Sequence, residues 1–163
     1  MVAYDRWLPG LKITSYGVDY AAASDQSSAG PGATDMSRHI ADVAGRCPRT
    51  SFVIGGYSQG ATVTDIAIGI RGASRTTGEA IPAGVASRVV AVVVFGNPLG
   101  LSGRTIEGAS TTYGPKAKSF CNTDDTVCGG GGAGSLPGSH LSYATNGAVP
   151  QAADFAAGRL ASS

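Results

Sequence analysis

Apolar residues fall along the chain in two alternating rhythms, short unbroken runs and stretches of helical spacing, and each rhythm predicts an element. Ser51 to Tyr57 is a short apolar run of strand character, and from Gly60 onward Val63, Ile66, Ala67 and Ile70 return to one helical face. Only Ser58 and Gln59 separate the two, so strand, sharp turn and helix follow directly. Arg88 to Phe95 carries Val89, Val90, Val92, Val93 and Val94 almost without a polar break, as a strand buried on both faces of a parallel sheet does, and its expected place is central. Before them, Gly30, Pro31 and Gly32 mark a turn. Met36, Ile40 and Val43 then recur at helical spacing, with Thr34 or Asp35 to cap the start and an end near Gly45.

The flanks are less regular. Leu11 to Tyr20 mixes apolar and β-branched residues with Lys12, Thr14 and Gly17, which reads as an edge strand. Gly96 to Pro115 reads as a long irregular stretch, Ala117 to Phe120 as a short strand, and Cys121 to Gly138 as a Gly-rich segment leading to His140. Ala152, Phe155, Ala156 and Leu160 share one face of a final helix. Strands alternating with helices predict an α/β fold, a three-layer α/β/α sandwich around a mostly parallel sheet.

Length and composition narrow the function without naming it. The 163 residues fit a single domain over 1–163, since domains run to roughly 100–200 residues. A net charge of +1 with 14% charged residues lacks the basic footprint of a nucleic-acid binder, so no nucleic-acid partner is expected. No run of 18 or more apolar residues predicts a membrane-spanning helix, and Met1 to Leu11 lack the pattern of a secretory leader. That reads as cytosolic, whereas Cys121 and Cys128, close together in a Gly-rich loop, read as a disulfide of an exported protein. Cys47 is left over, a free thiol or one with a partner outside the sequence. Two distant histidines leave little from which to build a metal site, and no cofactor is expected.

The chemistry starts at Gly56-Tyr57-Ser58-Gln59-Gly60, a G-x-S-x-G pattern that follows an apolar strand and precedes an amphipathic helix. In that context the glycines permit a sharp turn that leaves the serine hydroxyl exposed at the tip of the sheet. The same turn sets the backbone N–H of Gln59 beside the helix start, where it can stabilise an oxyanion. A serine hydroxyl needs a base, and the chain offers two histidines. His39 lies within a helix and reads as a surface or packing residue. His140 lies in a late loop before the last helix, where the order Ser, acid, His places the base.

Between them the acids are Asp65, Glu79, Glu107, Asp124 and Asp125. Asp65, in the elbow helix, is expected to face solvent. Asp124 and Asp125 follow the late strand on the side of the sheet where α/β sites are built, and spacing alone does not choose between them. A Cys121–Cys128 bridge would pin their loop and contribute on the order of 2.5 kcal/mol. A phosphate-binding role for Gly129 to Gly134 is weak, because no Lys-Ser or Lys-Thr follows.

These residues together resemble the cutinase family of serine esterases, in its actinobacterial branch. Cys47-Pro48 with Phe52-Val53-Ile54-Gly55-Gly56-Tyr57-Ser58-Gln59-Gly60-Ala61 is similar to the family's nucleophile block, Phe95-Gly96-Asn97-Pro98 to the end of its next strand, Cys121 to Cys128 to its disulfide-closed acid loop, and His140-Leu141-Ser142-Tyr143 to its histidine segment. The resemblance implies an α/β-hydrolase fold and selects Asp125 over Asp124 as catalytic, beside Ser58 and His140. It also implies secretion, a monomer, transient contact with a lipid surface, and small or polymeric ester substrates with short to medium acyl chains.

One departure accompanies it. Family members begin with a strand whose cysteine pairs with the one at Cys47 and whose following loop supplies a second oxyanion donor, whereas the first residues here resemble the end of the next helix. The expectation is an N-terminally incomplete sheet, and with one donor missing a turnover lower by roughly 10²–10³. A binding or surface-exposed protein without catalysis is the competing expectation.

Overall fold

A computed structural model describes residues 11–132 and 134–163. Its frame is a parallel sheet of β1 (Phe52–Tyr57), β2 (Val89–Phe95) and β3 (Ala117–Phe120), in that spatial order among the described residues. Helix α1 (Ala29–Arg46) precedes β1, and α2 (Gln59–Ala67) crosses from β1 to β2. A short α3 (Ile106–Ala109) lies between β2 and β3, and α4 (Ala148–Ala161) closes the chain.

The valine run does what its pattern predicts. From Val89 to Val94 every residue of β2 is buried, and the strand pairs β1 through Tyr57 opposite Phe95 and β3 through Phe95 opposite Phe120. Alternate residues then serve different layers. Val92 and Val94 join the core built with α1 and α2, including Met36, Ile40, Val63 and Ile66, while Val93 faces Phe120, Tyr143, Ala148 and Ala152 on the α4 side. The result is the α/β sandwich expected from the alternation of elements, with all three strands ending at one rim.

Three expectations fail locally. Leu11 to Tyr20 forms no strand, because alternation makes a strand only when a neighbour accepts its backbone groups. Instead the segment is held on α1 by side chains: Tyr16 Oη donates to Asp35 Oδ2 at 3.0 Å, the Tyr16 ring stacks on His39 at 3.5 Å, and Asp19 N–H donates to Asp35 at 2.9 Å. Gly30-Pro31-Gly32 is no turn either, but the first turn of α1, where proline is tolerated because its missing N–H has no helical acceptor. The stretch from Gly96 to Pro115 is less irregular than its composition implied, holding α3 and 3₁₀ turns at Pro98–Ser102 and Gly114–Lys116. The expectation that the first residues resemble a helix end concerns 1–10, which lie outside the described residues.

Candidate active site

At the rim, β1 hands over to α2 through Ser58, whose φ of 55° and ψ of −117° hold a non-glycine residue in left-handed backbone. That strain costs on the order of 1–3 kcal/mol and is characteristic of functional turns. Its amide donates to the Phe95 carbonyl at 2.9 Å, so the elbow is anchored to the end of β2. The turn is tight enough that a Cβ on Gly56 would stand 2.1 Å from the Gly60 carbonyl, which only glycine avoids. Gln59 and Gly60 supply N–H groups of the kind a helix start leaves without an internal acceptor. The Gln59 side chain reaches away from them, donating to the Ala23 carbonyl at 2.6 Å.

The loops after β3 bring a carboxylate and an imidazole together. Asp125 is fully buried, and its carboxylate accepts from His140 Nδ1 at 2.9 Å, Tyr143 Oη at 2.5 Å and Val127 N–H at 2.9 Å. Burial alone pushes this carboxyl up, but the hydrogen bonds from Tyr143, His140 and Val127 outweigh it and hold Asp125 below the usual carboxylate range. The Tyr143 phenol is pushed up in turn by its burial and by the Asp125 carboxylate. A bond from Cys121 to Cys128 closes the loop around Asp125. Asn122 ties that loop to the next one, donating to the Ser139 carbonyl at 2.8 Å and accepting from Asn146 Nδ2 at 2.8 Å.

Elbow and loops meet through Tyr57, the residue before Ser58. Its ring stacks on His140 with centroids 4.7 Å apart, and its hydroxyl donates to the His140 carbonyl at 3.0 Å. Gly96, at φ 56°, lies beneath them: a Cβ there would stand 2.7 Å from His140 Cε1 and 2.9 Å from Asp125 Oδ2.

The remaining candidates are placed elsewhere. Asp124 is exposed, Glu79 pairs with Arg38 on the surface, and Glu107 accepts from Ser119 N–H at 2.6 Å. Asp65 does not face solvent: it is fully buried, because α2 is enclosed on every side, with all residues from Ala61 to Ala67 buried. Sequence reasoning named neither Tyr143 nor Tyr57 as part of the site. A tyrosine three residues after the candidate base and an aromatic inside the elbow were the available signals, but the contact of Tyr143 with a carboxylate 18 residues away belongs to the fold.

An α/β sandwich with a strained elbow serine and a hydrogen-bonded histidine–aspartate pair at the same rim is the architecture of the α/β-hydrolases. The cutinase family model matches residues 5–160, and the chain belongs to that family. It is 64% identical over 150 residues to a cutinase of Kineococcus radiotolerans, covering 90% of this chain and 49% of that protein. It is 42% identical over 155 residues to the probable carboxylesterase Culp3 of Mycobacterium tuberculosis, covering 93% of this chain and 57% of that one. Among solved structures, Trichoderma reesei cutinase in complex with a phosphonate inhibitor superposes with a TM-score of 0.56 at 29% identity, covering 89% of this chain and 57% of that chain. The chain thus spans about half the length of the curated relatives it matches.

Proposed function

We propose that this chain hydrolyses carboxylic esters by acyl transfer, with Ser58 as nucleophile, His140 as general base and acid, Asp125 as the group that orients the imidazole, and the Gln59 N–H as an oxyanion donor. The observation that carries the reading is the hydrogen bond of 2.9 Å between His140 Nδ1 and the buried Asp125 carboxylate, with the His140 ring stacked on Tyr57, the residue before the elbow serine. Asp125 accepts a hydrogen bond from Nδ1–H, which fixes the tautomer whose Nε2 is free to take the proton of Ser58 as its oxygen attacks the ester carbon. The tetrahedral intermediate collapses as His140 returns that proton to the leaving alcohol. Water, activated in the same way, then releases the acid from the acyl-enzyme.

Family membership supports an ester as substrate, with the short to medium acyl chains that the resemblance implies, and the surface supports a lipid or polyester one. Leu141, next to His140, is 83% exposed, and Tyr57 is 44% exposed, which gives the site an apolar rim. The disulfide supports work outside a reducing cytosol, since such bonds persist in oxidising compartments. The test is Ser58→Ala assayed for p-nitrophenol release from a short-chain ester, together with a fluorophosphonate probe on the native chain. Loss of turnover in the variant and labelling of Ser58 are expected. Unchanged turnover in Ser58→Ala overturns the reading, and an unlabelled, inert native chain points instead to a binding protein.

A further inference from the structure

The tripeptide Phe95-Gly96-Asn97 at the end of β2 touches every part of the candidate site. The Phe95 carbonyl holds the Ser58 amide at 2.9 Å, and the Gly96 N–H donates at 2.9 Å to the Phe120 carbonyl, one residue before the disulfide loop. Gly96 itself lies under His140 and Asp125 with no room for a side chain. Asn97 turns inward, where its Nδ2 donates to Asp65 Oδ1 at 3.1 Å and its Oδ1 accepts the Leu99 N–H at 3.0 Å.

Asp65 lies in α2 seven residues after Ser58, the residue from which that helix starts. Its bond to Asn97 therefore ties the helix that carries the nucleophile to the turn that supports the acid and base. Asp65 is 0% exposed and Asn97 5%, so the link runs through the interior. For packing alone this is an expensive choice. An apolar pair would hold α2 on β2 without desolvating a carboxyl, and Asp65 Oδ2 has no hydrogen-bond partner among the described residues. What the polar pair adds is direction, because a hydrogen bond is sensitive to angle where apolar contact is not.

We propose that Asp65 is a positioning residue: with Asn97 it sets the Gly96 turn relative to α2, and so sets the His140 ring and the Asp125 carboxylate relative to Ser58. The proposal rests on the triad reading above. Burial pushes the Asp65 carboxyl up to about 7, with the Asn97 hydrogen bond and the Arg104 charge pulling down and the Glu107 charge adding to the rise. A carboxyl neutral below that value fits a site that offers it one donor.

The experiment compares Asp65→Leu, Asp65→Asn and Asn97→Ser with the native chain on a short-chain p-nitrophenyl ester, with thermal melting to monitor folding. Asp65→Leu removes the link, and a misplacement of about 1 Å in the site lowers kcat by roughly 10- to 100-fold while KM stays within about twofold. Asp65→Asn still presents an Oδ1 acceptor to Asn97 and restores kcat to within about threefold. Asn97→Ser keeps a capping oxygen for Leu99 but falls short of Asp65, and its kcat follows Asp65→Leu. A cooperative melt with native kcat in Asp65→Leu or in Asn97→Ser overturns the proposal, and so does a loss in Asp65→Asn as deep as in Asp65→Leu. Should Asp65→Leu not fold, Asn97→Ser decides alone. Failure of the triad reading looks different, since Ser58→Ala then retains activity.

Discussion

Asp65 and Asp125 are both carboxylic acids with no exposed surface, both lie within the span of chain that builds the candidate site, and their acidities move in opposite directions. Asp65 receives one side-chain donor, from Asn97, and burial pushes it up to about 7. Asp125 receives a phenol, an imidazole and a backbone amide, and stays below the usual range. Burial makes charge expensive in both places, and the number of donors decides whether the charge survives it. The rim of the sheet can assemble that many donors because the Asp125 loop and the His140 loop meet there, whereas the core between α2 and β2 is filled by Val63, Ile66 and Val94.

The sharpest way to break this comparison is at Asp125. Asp125→Asn replaces the acceptor of the His140 Nδ1 proton with a group that also donates, which favours the wrong tautomer. Turnover is expected to fall by roughly 10³- to 10⁴-fold with the fold intact, measured as p-nitrophenyl ester hydrolysis alongside circular dichroism. A loss under tenfold removes Asp125 from its proposed role.

Removing one donor should move Asp125 part of the way toward Asp65. Tyr143→Phe also leaves the Asn122 N–H, which donates to Tyr143 Oη at 3.1 Å, without that acceptor. The expected cost is about 1–3 kcal/mol at neutral pH by urea denaturation. Because Asp125 is held below its ordinary value of 3.8, the stability it lends is present above that value and lost as pH falls through the folded one. The gap between native and Tyr143→Phe should therefore narrow in acid, and a gap independent of pH would mean that the phenol does not act on the carboxylate.

The smallest effect is expected at about pH 4, where the folded chain holds the Asp65 carboxyl neutral. The folded chain keeps the Asp65 proton up to about 7 while an unfolded one releases it near 3.8, so the native protein is most favoured below the lower value and loses stability as pH rises across that window. Asp65→Asn has no proton to lose. Its stability should match the native chain at about pH 4 and exceed it at about pH 8, read from urea midpoints at the two pH values. Parallel curves for the two proteins would place the Asp65 titration elsewhere.

Local pattern carried the elbow, the central strand and the last helix, because each depends on residues close in sequence. The apolar run from Val89 to Val94 is buried on both faces as its composition predicts. The same reasoning erred where an element depends on a partner. Leu11 to Tyr20 has strand-like residues and no ladder, and Pro31 breaks nothing because it stands in a first turn. The site divides in the same way. Ser58 could be named from the glycines around it, and His140 from its order in the chain, whereas Asp124 and Asp125 are adjacent and chemically identical, and the family resemblance rather than spacing chose Asp125.

By itself, then, the sequence determined the alternation of strands and helices, the turn at Ser58 and a short list of groups able to serve it. The fold had to supply the rest: the donors that Asp125 meets in His140, Tyr143 and Val127, and the burial of Asp65 against Asn97. The reason is physical. Backbone turns and periodicity are set by neighbours a few residues away, but whether a carboxyl keeps its charge depends on which donors surround it, and those arrive from distant parts of the chain.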